Sequence, residues 1–285
     1  MMDTKKGIIL NVLSVAIMAV NPVLNKFSLS VLSPLQASFL NALFSTVITY
    51  IAIKITKKNV PLLFKDKKLW ILGITNTLGI VLQYLSVSFL DPVSVGLFGR
   101  FYIVFAILLS VVVLHERINK YDLVPIILTI LGTILVTDLN GNINSLLGVI
   151  TAISYTFFFA LTNMLAKKIV GTLDSKILLF YNQIMSAILL FLILIGSNQE
   201  KMNLLNYGTL YILAVAFFGG FLGLYLFYEG LKFTSFRNAN IIRSLNPIFV
   251  FLFSIPFFEI PLTISFVCGG LLIIASVIWM SLVKN

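Results

Sequence analysis

The chain has 285 residues, 59% of them hydrophobic and 11% charged, with a mean hydropathy of +1.06 and a formal net charge of +10. So little polar surface cannot clothe a water-facing shell, which excludes an ordinary soluble domain and makes the bilayer the solvent for most of the chain. The basic residues form no soluble basic domain, so nucleic acid is not an expected partner, and the one cysteine, Cys268, excludes an intramolecular disulfide.

In chain order, Met1–Lys6 and the apolar run after it resemble a secretory leader. The run continues past Ala19-Val20 into Asn21-Pro22 with no A-x-A-like cleavage site, so it reads as a retained first span. Apolar runs of near-spanning length lie at Gly7–Leu24, Leu35–Ile53, Leu69–Leu90, Val93–Leu114, Leu123–Val136, Leu146–Ala166, Ile177–Ile195, Thr209–Leu231, Ala239–Phe257 and Leu262–Val283. At roughly 20 residues per span these predict an all-α polytopic membrane protein with ten transmembrane helices, the fifth being the shortest. Continuous rather than alternating hydrophobicity excludes a closed barrel.

The connections predict orientation. With both termini cytoplasmic, only Lys26 and Lys201 fall outside, Arg100 and Arg243 lie within spans, and the other 16 of the 20 lysines and arginines are cytoplasmic. That asymmetry supports an even span count in a cell membrane, and Trp70 and Trp279 fall at cytoplasmic span ends.

The polar segment Thr137–Ser145 divides the chain near its middle, into residues 1–140 and 141–285, with five spans in each part. The parts resemble each other. Gly7 and Lys26 fall on Gly148 and Lys167, Phe39 and Asn41 on Phe180 and Asn182, and Tyr84 near Tyr228. Arg100 precedes Glu116 by the same interval at which Arg243 precedes Glu259. Because five is odd, the second copy enters the membrane upside down, and such an inverted repeat is a transporter signature.

Each five-span half has a fourth helix ending in a glutamate, LHE at Glu116 and FFE at Glu259. Each is followed by a fifth helix bearing small residues, Gly132 in one and Gly269 and Gly270 in the other. This arrangement resembles EamA-type members of the drug/metabolite transporter superfamily, as does the Asn246-Pro247 step and the apolar run after it. The resemblance covers nearly the whole chain and rests on arrangement more than on any one residue. It implies a helical carrier for small metabolites, often an exporter. Two departures stand out. Val104 occupies the position of Pro247 in the first half, and Gly7–Leu24 lacks the membrane carboxylate that small multidrug relatives carry in their first helix.

A charge inside an apolar span costs roughly 2.5–3.5 kcal/mol on insertion scales, so Arg100 and Arg243 are the leading substrate-binding candidates. The topology puts Arg100 in the outer half of the membrane and Arg243 in the inner half. Glu229 lies about as deep as Arg243 and is expected to pair with it, whereas Gln83 stands opposite Arg100 and leaves it without a carboxylate. A partnerless guanidinium suits a carboxylate or phosphate. Further substrate-binding candidates are Asn21 and Asn25 beside Pro22, Asn76 and Gln83 on one face of the third helix, Asn163, Asn182, Tyr225 and Tyr228 from the second half, and Asn246. Amides and hydroxyls within spans also serve simply to join helices. The aromatic run Tyr155, Phe157, Phe158 and Phe159 reads as packing, and the glycines Gly219, Gly220, Gly223, Gly269 and Gly270 as sites of close helix approach. Glu229, Glu116 and Glu259 are the gating or coupling candidates.

No catalytic residues, metal site or cofactor are expected. His115 is the only histidine, and neither a Cys/His cluster, a Ser/His/Asp arrangement nor a P-loop is present. The expected partners are a small-molecule substrate and the lipid bilayer, with one chain carrying both halves as a functional monomer. A broad exporter of hydrophobic compounds with structural arginines stays open as the alternative, and a receptor or scaffold remains as a further one.

Overall fold

The computed structural model describes residues 2–114, 123–136, 143–197, 205–234, 236–243, 245–259 and 263–282. These residues form α1 (Met2–Met18), α2 (Asn21–Ser28), α3 (Pro34–Ile55), α4 (Lys67–Phe89), α5 (Pro92–Phe98), α6 (Phe101–Leu114), α7 (Leu123–Val136) and α8 (Ile143–Ile169). They continue as α9 (Ser175–Gly196), α10 (Tyr207–Val215), a π-helical stretch over Ala216–Gly223, α11 (Leu224–Phe233), α12 (Phe236–Arg243), α13 (Asn246–Ser254) and α14 (Ile264–Leu282). No strand occurs among the described residues.

Helices start where the sequence offers a cap. Ser33 and Gln36 form a capping box ahead of Pro34, and Asp66 accepts from the Lys68 amide. Asp91 accepts from the Val93 and Ser94 amides, both at 2.9 Å, with Pro92 in the first turn. Asp174 and Asn206 open α9 and α10 in the same way. These caps satisfy amide groups that have no partner inside the helix. At the other end of α3, Lys57 takes a φ of 53°, a left-handed stop.

Seven helical stretches are each long and apolar enough to cross a membrane: Lys5–Ser28, Pro34–Ile55, Lys67–Phe89, Pro92–Val113, Leu146–Ile169, Ser175–Gly196 and Tyr207–Phe233. Among the described residues, the other three runs of the sequence are represented by shorter or interrupted helices. The fifth is α7, with 14 residues; the ninth is split into α12 and α13; the tenth contains the apolar helix Ile264–Ser276 within α14. The linker Thr137–Ser145 lies outside the described residues as far as 142, and its last three residues already belong to α8.

Polarity runs opposite to that of a soluble protein. Val112, Leu210 and Leu271 are 69%, 68% and 60% exposed, while Asn11, Ser14, Ser45 and Asn182 are fully buried. Lipid receives the apolar side chains, and polar groups turn inward to find partners. Hydroxyls do so cheaply: Thr46, Thr49 and Thr77 each donate to the carbonyl one turn back, at 2.8, 2.6 and 2.7 Å. In the assembly α4 packs on α8 and α9, α3 on α9, and α1 on α11. Helices α7 and α14 pack on each other, and a Cβ at Gly132 would stand 2.6 Å from the Gly269 carbonyl oxygen.

One pair of contacts repeats at matched positions. Lys26 Nζ donates to the carbonyls of Val87 and Leu90, at 2.9 and 2.8 Å, closing the last turn of α4. Lys167 Nζ donates to those of Leu231 and Thr234, at 2.5 and 3.0 Å, closing the last turn of α11. The same two helix ends each receive a glycine: a Cβ on Gly148 would fall 2.6 Å from Leu90 Cγ, and one on Gly7 would fall 2.5 Å from Thr234 Cγ2. An ammonium at a helix C-terminus meets unpaired carbonyls and the negative end of the helix dipole together. Charged hydrogen bonds of this kind contribute about 1.5–3 kcal/mol. Lys26→Met and Lys167→Met are therefore each expected to lower the thermal midpoint in detergent by several degrees. Because the two sites are remote, the double variant is expected to lose the sum of the two effects.

Candidate substrate site

Three helical rods break near their middles, and a fourth is unwound. The first breaks at Ala19-Val20, just ahead of Asn21-Pro22, where proline removes an amide donor and crowds the preceding turn. The second breaks at Gly99-Arg100, where the backbone tightens: the Arg100 amide donates to Leu97 O and the Ile103 amide to Arg100 O, both at 2.9 Å. The third breaks between Arg243 and Asn246, again ahead of a proline. The fourth irregularity is the π-helical Ala216–Gly223, where glycines relieve the crowding that unwinding brings.

All four irregularities border one cavity of about 160 Å³. Met18 and Asn21 come from the first break, Gly99 and Arg100 from the second, Arg243 and Asn246 from the third, and Gly219 and Gly220 from the π segment. Asn41 of α3, Asn76 and Gln83 of α4, Tyr155, Phe159 and Asn163 of α8 and Gln183 of α9 complete its polar and aromatic wall. A cavity of this size is on the scale of one that takes benzene, roughly 150 Å³.

Arg100 is 8% exposed. Its Nη1 donates to the Arg243 carbonyl oxygen at 2.5 Å and its Nη2 approaches Asn246 Oδ1 at 3.5 Å, while its Nε is buried without an acceptor. Arg243 is held differently. Its guanidinium lies 4.1 Å from the Phe227 ring centre and 5.5 Å from that of Tyr102, and its Nη2 reaches Met18 Sδ at 3.5 Å. Its Nη1 is buried without an acceptor. A cation over an aromatic face gains about 0.5–2 kcal/mol, rising with desolvation, which offsets part of the insertion cost of the charge.

The surrounding amides are partly committed to one another. Asn163 Nδ2 donates to Tyr102 Oη at 3.0 Å, Asn76 Nδ2 to Ser186 Oγ at 2.9 Å, and Gln183 Nε2 to the Gly220 carbonyl at 3.3 Å. Tyr155 Oη donates to Val95 O at 3.1 Å, in space left by Gly99, where a Cβ would lie 2.8 Å from that hydroxyl. Asn21 Oδ1 is buried with no donor.

Of the residues singled out in the sequence, Arg100, Arg243, Asn21, Asn76, Gln83, Asn163 and Asn246 meet on this cavity. Four others do not line it. Asn25 is buried in α2, Asn182 donates to Tyr228 Oη at 3.2 Å so that each occupies the other, and Tyr225 stacks on Phe221 with ring centres 6.1 Å apart. The expected Glu229–Arg243 pair does not form. Glu229 turns to Lys232, one turn away on α11, at 2.6 Å. Glu259 is exposed beyond α13, and Glu116 lies outside the described residues. Tyr155 and Phe159, read as packing, line the cavity, as do Asn41, Tyr102 and Gln183. Among the described residues nothing lies within 4 Å of a Cβ built on Gly270, so no close approach is seen there.

Outside the spans, Lys58 Nζ meets Asp174 Oδ2 at 2.6 Å. Hydrogen bonding to Asp174 raises the lysine. Burial works to raise the Asp174 carboxyl, but the hydrogen bonds from Lys58 and the Lys176 amide outweigh it and leave the group lowered. Both partners therefore stay charged through the neutral range. The lysine is half exposed, so solvent screens most of the energy of the pair.

The sequence model of the EamA-like transporter family matches residues 5–138 and, a second time, residues 146–282. The chain belongs to the EamA-like transporter family and is a multi-pass membrane protein. Among curated proteins none matches it. A protein crystal structure 13% identical in sequence superposes with a TM-score of 0.74, covering 98% of this chain and 97% of the other, which is a likeness of fold.

The wall tolerates little added volume where the π segment meets the first break. A Cβ on Gly219 would lie 1.7 Å from Asn21 Nδ2 and 2.6 Å from its Cγ, so Gly219→Ala must displace Asn21. Overpacking of this kind costs about 1–3 kcal/mol. Gly219→Ala is expected to lower the thermal midpoint clearly, whereas Gly270→Ala, made into open space, leaves it unchanged or slightly raised.

Proposed function

We propose that this transporter carries a small carboxylate-bearing solute, an amino acid or a similar metabolite, through the cavity between Arg100 and Arg243, and that it works as an exporter in the cell membrane. The observation that carries this reading is the charge of the cavity. Two guanidinium groups line it, and no aspartate or glutamate does among the described residues. Guanidinium groups recognise carboxylates through charge-assisted hydrogen bonds, and the unpartnered Arg100 Nε and Arg243 Nη1 supply donors for them.

Alternating access of two inverted five-helix halves, residues 1–140 and 141–285, supplies the movement. The double match to the family model and the matched clamps at Lys26 and Lys167 support such halves. Breaks in three helices and the π segment in a fourth give the halves joints at the depth of the cavity, where carriers commonly interrupt their helices. The count of ten spans, the cytoplasmic termini and a monomer as the working unit belong to the same reading. The first of these rests on the hydrophobic runs and the second on the asymmetry of basic residues.

A second reading, a broad exporter of hydrophobic compounds with structural arginines, draws on the bond from Arg100 to the Arg243 carbonyl. Counterflow in proteoliposomes with a panel of labelled carboxylates and lipophilic cations separates the two. The expected outcome is exchange of carboxylates that falls at least tenfold in Arg100→Gln and in Arg243→Gln. Exchange of cations alone, or full carboxylate exchange by both variants, would overturn the anion reading.

A further inference from the structure

The cavity presents two positive charges, and they are compensated unequally. Around Arg100 the acceptors are the Arg243 carbonyl and the Asn246 amide; around Arg243 they are the Phe227 and Tyr102 rings, the Tyr102 hydroxyl and the Met18 thioether. None of these groups is an anion. Among the described residues, Asp91 caps α5, Glu229 binds Lys232 and Asp174 binds Lys58. Each arginine also retains one buried nitrogen whose N–H bonds have no acceptor, Nε on Arg100 and Nη1 on Arg243.

We propose that the ligand of this cavity carries two negative charges, as a small dicarboxylate or a phosphate monoester does. The proposal rests on the anion reading above and narrows it. A single carboxylate could accept from both free groups, but it would leave the cavity with one net positive charge. A dianion supplies both acceptors and brings the formal charge of the cavity to zero. The backbone adds no net sign: α2, α6 and α13 begin at the cavity, and α1, α5 and α12 end there, so positive and negative dipole ends are matched and the guanidinium groups set its charge. The exposed carbonyl at the end of α12, which would repel an anion, is covered by the Arg100 guanidinium. The volume of about 160 Å³ admits a ligand of roughly six to ten non-hydrogen atoms, the size of a four-carbon dicarboxylate or a three-carbon phosphate ester.

The test is counterflow by the full-length protein in proteoliposomes, with labelled succinate, glycerol phosphate, butyrate and alanine as probes. The expected result is that succinate or glycerol phosphate exchanges at least tenfold faster than butyrate and alanine. The faster of the two identifies the acid group. In Arg243→Gln, which removes one charge, the preference for the dianion over butyrate is expected to collapse at least fivefold. Loss of all exchange in that variant would leave the wild-type ranking to decide. Butyrate or alanine exchanging as fast as both dianions would overturn the second charge while leaving the carboxylate reading standing. No exchange of any of the four would overturn both.

Discussion

The hydrogen bond from Arg100 to the carbonyl oxygen of Arg243 ties together two interrupted helices that lie 143 positions apart in the chain. Interrupting a helix inside a membrane frees backbone groups that have no water to turn to, and each one left unsatisfied costs several kcal/mol. Here the break between α12 and α13 exposes a carbonyl, and the charge beside the break between α5 and α6 covers it. Each defect makes the other tolerable. The cavity exists because these breaks, with those at Ala19-Val20 and in the π segment, fall at one place.

The arginines share this place without doing the same work. Arg100 spends one arm on the backbone and keeps its Nε free; Arg243 spreads its charge over Phe227 and Tyr102 and keeps an Nη free. A similar departure from symmetry appears at two buried tyrosines. Tyr228 receives a hydrogen bond from Asn182, whereas Tyr84 Oη has no partner and Asn41, matched to Asn182 in the sequence, faces the cavity instead. Farther out the two parts agree closely, with Lys26 and Lys167 closing the ends of α4 and α11 alike. The two parts thus agree at the periphery and differ at the cavity.

Much of this was legible in the sequence for simple physical reasons. Long apolar runs identify helices in lipid, and an arginine inside one marks a site because its insertion cost has to be offset. Asn21 and Asn246, which line the cavity, stand out in the sequence because each precedes a proline. Partner choice was not legible. Helical spacing says which residues share a face, but not what that face meets, so Asn182 and Tyr228 could not be recognised as each other's partner. Equal depth suggested that Glu229 would reach Arg243, yet Lys232 stands one turn away and wins by proximity. Tyr102 and Tyr155 look like any other aromatic residue in an apolar run. The one available signal for Tyr155 was Gly99 beside Arg100, a residue small enough to leave room for a hydroxyl.

The central claim is that the space between Arg100 and Arg243 holds an acidic ligand. Diffraction from crystals of the protein grown with a small brominated carboxylate would test it most directly, because bromine can be placed by its anomalous signal. The expected result is a bromine peak in the cavity, with carboxylate oxygens within hydrogen-bond distance of Arg100 Nε and Arg243 Nη1. Bromine bound only elsewhere, with both arginines contacting nothing but protein in crystals of a transport-competent preparation, would contradict it.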